Sequence, residues 1–271
     1  GPDSHRTAFD TMAWWARSGL MDIVRPSENS PPANPPIGMG DQPTGVALFA
    51  SIMTALYRRE KTGKGGEVHT SLMANGAWSN GSFIQAGLFG AQFPERKEPS
   101  PLHPFGGRYK TKDNRYLILA IIDANKEWPK LLKALDIEYF NEDPRFSSFK
   151  KMNENFMILY EELEKIFIQY SLKEITEKLR FSEVTFGVLS HSNDHSKDQQ
   201  FIESEVLVKF DKGSFDEDFF TVNSPIFLEN ESKKIPTKAP KLGEHTKEIL
   251  SSLGQDEEEI AQLKQDGIID Y

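Results

Sequence analysis

Asp41 sits in the stretch GMGDQPTGVALFASIMTALYRRE, where glycines and a proline bracket the mouth of an apolar helix. A carboxylate in that place can accept hydrogen bonds from the first free N–H groups and face the positive end of the helix dipole, and both effects favour its ionised form. Pro43 pre-sets the first turn without removing a needed donor, while Gly38, Gly40 and Gly45 take away side chains that would crowd anything approaching the carboxylate. Two readings follow from this segment alone. Asp41 caps the helix, which is the commonest use of Asp there, or it is an ionised carboxylate kept open to an approaching molecule.

Few other residues compete for chemistry. The chain has no cysteine, so disulfides, thiolate nucleophiles and zinc-thiolate sites are excluded and any covalent step must use oxygen or nitrogen. Six histidines stand at positions 5, 69, 103, 191, 195 and 245. His191 and His195 have i, i+4 spacing, but in a Ser/Asn/Asp-rich loop rather than on a helix, so they read as solvated residues and no metal site is expected. There is no Gly-x-Ser-x-Gly elbow, no phosphate loop with a Lys-Ser pair and no Gly-x-Gly-x-x-Gly, and GKGG at 63–66 reads as a turn.

The elements that must position Asp41 are legible as periodicity and punctuation. Phe9, Met12, Ala13, Ala16 and Leu20 fall at helical spacing, with Trp14 and Trp15 adding bulk, so a mostly buried helix is expected. VRPSENSPPANPPIGMG is a proline-rich surface connection that ends at Asp41. VALFASIMTALYRRE reads as a buried helix with a basic last turn at Arg58 and Arg59, and KTGKGGEVHTSLM as a turn into a short strand. ANGAWSNGSFIQAGLFGAQF, rich in small residues, reads as a helix packed closely against a neighbour.

The texture changes near residue 100. RYKTKDNRYLILAII reads as two strands around a Lys-Asp-Asn turn, and KEWPKLLKALDI as a helix with Pro129 in its first turn. NENFMILYEELEKIFIQY and LKEITEKLRF are amphipathic helices, the second capped by Ser171. EVLVKFDKG and DFFTVNSPIFLE alternate like antiparallel strands, and the tail gives two short helices, the first stopped at Gly254.

Composition narrows the class. A hydrophobic content of 38% over 271 residues supports a substantial core. With 32 Lys and Arg against 41 Asp and Glu, net −9, the chain lacks the clustered positive charge that nucleic-acid phosphates require. No apolar run long enough to span a membrane and no basic, apolar leader appear, so no membrane partner and a cytoplasmic setting are expected, or the mitochondrial matrix if a presequence precedes this segment.

At this point a family becomes recognisable. GMGDQPTGVALFASIMTALYRREKTGKGGEVHTSLM resembles the signature of the class III CoA-transferases, the formyl-CoA transferase and carnitine CoA-transferase family, in which a Gly-Asp-x-x-Thr-Gly turn opens a helix that runs into a basic Thr-Gly turn. GPDSHRTAFDTMAWWARSGLM, DPRF, GVLSHSNDHSKDQQ and APKLGEHTKEIL extend the likeness over essentially the whole chain. The resemblance implies an α/β fold: a large Rossmann-related domain, an inserted smaller α+β domain, and an interlocked homodimer. Residues 1–99 would belong to the large domain, 100–198 would form the small α+β domain, and 199–271 would return to the large one.

The same resemblance implies a reaction and a site. Asp41 matches the aspartate that carries the acyl group and then CoA, as an anhydride and a thioester; the partners are an acyl-CoA and a small carboxylic acid, with coenzyme A as substrate and no tightly bound cofactor. Gly38, Gly40, Gln42 and Arg17 fall where substrate or CoA would be met, and His103, Gly106 and Gly107 stand in the segment that closes over the site in several members. That segment, PSPLHPFGGRYK, is poor in glycine here. Arg58 and Lys64 are further cations for CoA phosphates, and Trp14, Trp15, Trp78 and Phe83 are candidates for an acyl pocket or, more commonly, for core packing. The chain begins part-way into the family's sequence, without the segment that forms the first strands of the sheet, so apolar faces left by that segment are expected to be covered by another chain or segment. A racemase branch of the family has a His-Asp pair where this chain has Phe9 and Asp10, which breaks the proton-transfer pair. The remaining alternative is a catalytically inactive scaffold.

Overall fold

The computed structural model describes residues 1–96 and 103–270, so the domain boundary expected between 99 and 100 lies outside the described residues. The chain divides into two compact units, Gly1–Gly187 and Val188–Tyr271.

The first unit opens with a π-helix, Thr11–Ala16, in which the Arg17 N–H reaches back five residues to the Met12 carbonyl at 3.0 Å. Gly19, at φ +83, then turns the chain into a one-turn helix α1 (Leu20–Ile23). The expected single buried helix is therefore broken: a left-handed residue cannot continue it, Trp14 and Trp15 are buried, and Phe9 is 66% exposed. Helix α2 (Asp41–Thr62) follows and ends at Gly63, φ +69. It was expected to be buried, yet none of its residues is, and Val46, Phe49, Met53 and Tyr57 stand open. Among the described residues it packs on α3 (Leu72–Ser79), which leaves the remainder of its circumference uncovered. The strand expected between Gly63 and Ser71 does not form; a strand needs a neighbour for its backbone groups, and none is present among residues 1–96. Helix α4 (Gly81–Leu88) closes this part.

From residue 103 onward the predicted pattern is followed closely. Strands β1 (Arg108–Lys110) and β2 (Tyr116–Leu119) pair antiparallel with Tyr109 opposite Leu117, and Asn114 at φ +59 makes the turn between them. Alternation buries Tyr109, Leu117 and Leu119 and exposes their neighbours. Four helices follow: α5 (Ala124–Leu135), α6 (Phe149–Glu154), α7 (Phe156–Phe167) and α8 (Leu172–Phe181). Leu131, Leu159, Leu163, Phe167 and Ile175 from these helices are fully buried, and Phe167 stacks on Tyr109 with ring centroids 4.4 Å apart. Burial also pushes the Tyr109 phenol well above its ordinary pKa, so it stays protonated and donates to the Pro104 carbonyl at 2.7 Å. Ser171 and Glu174 form a reciprocal capping box at the start of α8. Pro129 is not in the first turn of α5: Asp123 accepts the Lys126 N–H and starts the helix at Ala124, which puts Pro129 at its sixth residue. The Asn125 carbonyl therefore has no N–H four residues on. Strand β3 (Phe186–Val188) completes a sheet of order β1-β2-β3.

In the second unit, helix α9 (Gln199–Glu203) precedes strands β4 (Leu207–Lys209) and β5 (Phe220–Val222), which pair antiparallel with Val208 opposite Thr221. Helices α10 (Thr246–Ser252) and α11 (Glu257–Gln265) form the expected tail, separated by Gly254 at φ +92. No helix among the described residues is long and apolar enough to cross a membrane.

Candidate active site at the start of helix α2

The turn that leads into α2 is held from beneath by the π-helix. Asp10 accepts the Thr11 N–H through Oδ1 at 2.7 Å and the Gly40 N–H through Oδ2 at 3.3 Å, so one carboxylate joins two segments thirty residues apart in sequence. Gly40 lies flush on Trp14: a Cβ there would meet Trp14 Cβ at 2.6 Å and Asp10 Cβ at 3.0 Å. Gly76 of α3 approaches from the other side, where a Cβ would fall 2.4 Å from the Trp14 carbonyl oxygen. Trp14 stacks on Trp15, whose indole N–H donates to the Ala33 carbonyl at 2.8 Å and ties down the proline-rich connection. The Trp14 indole N–H is buried without a partner.

Upon this platform Gly40, not Asp41, is the cap residue of α2. Asp41 is already the first helical residue and is exposed. No hydrogen bond to its carboxylate is found among the described residues, because a side chain at this position points away from the amides that a cap residue reaches. The capping reading of Asp41 is thereby overturned. Asp41 thus lies at the end of the helix that carries the positive pole of its dipole. Thr44 closes the turn by donating from its hydroxyl to the Gly40 carbonyl at 2.7 Å.

The glycines divide by role. Gly40 is required by packing on Trp14, and Gly38, at φ +77, by the turn; Gly45 meets open space. Gln42 is exposed beside Gly38, whose carbonyl accepts its N–H at 3.1 Å. Arg17 stands at the end of the π-helix, paired with Asp3 at 2.8 Å. Arg58 folds back over Gly66, and Lys64 is exposed in the turn after α2. Of the four aromatic candidates, Trp14 and Trp15 are core, whereas Trp78 is 88% and Phe83 48% exposed.

His103, Gly106 and Gly107 take their contacts elsewhere. His103 Nδ1 accepts the Phe105 N–H at 3.3 Å, so its proton is on Nε2, which donates to Asn153 Oδ1 at 2.8 Å. A Cβ on Gly107 would collide with Tyr109 and Tyr160 at 2.8 Å, and Gly106 meets open space. Among the described residues no cluster of three His, Asp or Glu side chains is arranged to hold a metal. Asp10 and Trp14 are the residues whose part in the site the sequence did not reveal. Asp10 was noticed only beside Phe9, and nothing local in a chain announces a hydrogen bond to a residue thirty positions away.

The chain belongs to a known family. The description CoA-transferase family III matches residues 1–246, and the chain is a member of that family. It is 33% identical to the (R)-2-hydroxy-4-methylpentanoate CoA-transferase of Clostridioides difficile, over all of this chain and 67% of that protein. It is 26% identical to the cinnamoyl-CoA:phenyllactate CoA-transferase of Clostridium sporogenes, over 98% of this chain and 65% of that protein. The fold matches that of a CAIB/BAIF family protein from Brucella suis with a TM-score of 0.79 at 23% identity, covering 93% of this chain and 65% of that one. The chain thus spans about two thirds of the length of these relatives.

Proposed function

We propose that the protein carrying this chain transfers CoA from an acyl-CoA to a carboxylic acid, with Asp41 as the covalent carrier. The observation that carries this reading is the exposed Asp41 carboxylate, the first residue of a helix whose cap position is already filled by Gly40. One Asp41 oxygen attacks the thioester carbonyl; the C–S bond breaks, and an anhydride and CoA thiolate are formed. The thiolate then attacks the Asp41 carbonyl of the anhydride, releasing the donor acid and leaving an aspartyl-CoA thioester. The acceptor carboxylate reverses both steps, leaves as its CoA thioester and restores Asp41. Each exchange swaps one activated acyl group for another, so the sequence is nearly balanced in energy, and its intermediates need protection from water.

The acceptor on this reading is a 2-hydroxy acid with a bulky apolar side chain, the class shared by the 2-hydroxy-4-methylpentanoate and phenyllactate named for the two bacterial relatives. Residues 100–198 act as the small domain and the working form is a homodimer. The test is to incubate the full-length protein with cinnamoyl-CoA, trap with hydroxylamine and locate the adduct by mass spectrometry. A label at Asp41 that vanishes in Asp41→Asn, together with CoA transfer to (R)-2-hydroxy-4-methylpentanoate, is the expected result. No label and no CoA binding by calorimetry would leave a scaffold instead.

A further inference from the structure

The Asp10 carboxylate spends both oxygens on backbone amides, one of its own helix and one of the residue immediately before Asp41. The bond to Thr11 lies within the π-helix, whereas the bond to Gly40 leaves it for the turn before α2. It fixes the peptide from which Asp41 departs. Gly40 is restrained on three sides: its N–H is held by Asp10, its carbonyl is held by the Thr44 hydroxyl, and its Cα rests on Trp14. With the peptide on its N-terminal side so held and the helix on its C-terminal side, Asp41 has only its own side-chain torsions left to vary. A carboxylate without hydrogen-bond partners of its own depends on its backbone for aim, and an error of about 1 Å in a reacting group can lower a rate by about a hundredfold.

We infer that Asp10 is a positioning residue for Asp41: through the Gly40 amide it sets the direction from which the Asp41 carboxylate meets the thioester. This rests on the reading of Asp41 as the acyl carrier. The part inferred for Asp10 runs through the Gly40 amide and not through the reacting atoms, so it is a positioning residue and not a catalytic one. Asn at this position has nearly the same shape but one acceptor oxygen; if that oxygen keeps Thr11, the amide NH2 is left facing the Gly40 N–H, donor against donor.

The experiment compares wild type, Asp10→Asn, Asp10→Ser and Asp41→Asn in the full-length protein. Three readouts are taken with cinnamoyl-CoA: the single-turnover rate of label formation at Asp41, the dissociation constant by calorimetry, and the thermal midpoint. Asp10→Ser serves as the second variant because a serine can still cap the π-helix but is too short to reach Gly40. The expected result is that both Asp10 variants form the Asp41 label about 10- to 100-fold more slowly, while the dissociation constant moves less than about threefold, a split that a general loss of structure would not produce. Labelling at the wild-type rate in Asp10→Asn overturns the inference while leaving Asp41 as carrier. A slow rate matched by an equal loss of binding also overturns it, as does absence of label in the wild type, which removes the carrier itself.

Discussion

Gly40 and Trp14 are in contact through backbone and Cβ, so closely that a methyl group on residue 40 would lie 2.6 Å from Trp14 Cβ and 2.7 Å from its Cγ. Truncating Trp14 to Ala does not make room, because the nearer clash is with its own Cβ. Gly40→Ala is therefore expected to cost about 1–3 kcal/mol and to remain destabilised when combined with Trp14→Ala. Urea unfolding of the two single variants and the double variant checks this; full rescue by Trp14→Ala would show that the ring, not the Cβ, defines the contact.

A contrast comes from Gly45, which faces open space one turn into α2. Glycine inside a helix costs about 0.5–1 kcal/mol relative to alanine, so Gly45→Ala should raise the unfolding midpoint. If the open space above Gly45 is the path of the thioester to Asp41, the same variant should slow Asp41 labelling. A stabilised protein that labels as fast as wild type would place the path elsewhere.

Trp14 buries its ring but leaves its indole N–H unsatisfied. Trp14→Phe removes that buried donor, which offsets part of the lost contact area, and is expected to cost less than about 1.5 kcal/mol, against about 3–5 kcal/mol for Trp14→Ala. Thermal unfolding of the pair measures the difference.

Asp22 lies between Arg25 and Arg96, and the Arg25 hydrogen bond, with Arg96 adding to it, holds its carboxyl below the ordinary carboxylate range. The folded value is lower than the unfolded one, so the contribution to stability is complete above the unfolded pKa and is lost as pH falls through the folded value. The Asp22 side chain is 60% exposed, which keeps the effect small. The gap in thermal midpoint between wild type and Asp22→Asn should therefore be present at neutral pH and close progressively in acid. A gap that persists unchanged to the acid limit would contradict the ion-pair assignment.

His103 caps the short turn at Pro104–Gly106 through Nδ1. His103→Ala should cost about 0.5–2 kcal/mol, and His103→Asn, whose side-chain oxygen can take over the cap, should recover most of it. Recovery of stability without change in Asp41 labelling would assign His103 to the fold alone.

Much of this was legible in the sequence where the signals are local. The Ser171 cap, the Lys-Asp-Asn turn and the Gly254 stop each depend on residues within a few positions of one another, and all appear in the structure, where Glu174 adds a reciprocal bond to the cap. Pro129 was misplaced because Asp123 proved the stronger start signal and began the helix at Ala124, two residues earlier than the expected start at Lys126. The burial of α2 was misjudged because apolar content tells what a helix needs, not whether the covering surface lies in the same stretch of chain. At the candidate site, spacing drew notice to Asp41 and its glycines and the family resemblance supplied the role proposed for Asp41, whereas the Asp10 clamp and the Trp14 platform arise only when distant segments meet.

Helix α2 holds 22 residues, a rod about 33 Å long at 1.5 Å per residue, with Asp41 at one tip and the basic turn at Arg58 and Arg59 near the other. A rod behaves as a lever. Tilting it by about five degrees about its basic end would swing the far tip by about 3 Å for a length of this order, a movement that the hold of Asp10 and Trp14 on Gly40 resists. Phe49, Met53 and Tyr57 stand exposed along this rod, so on the reading of Asp41 as carrier a surface resting on them would press the lever against its clamp at Gly40.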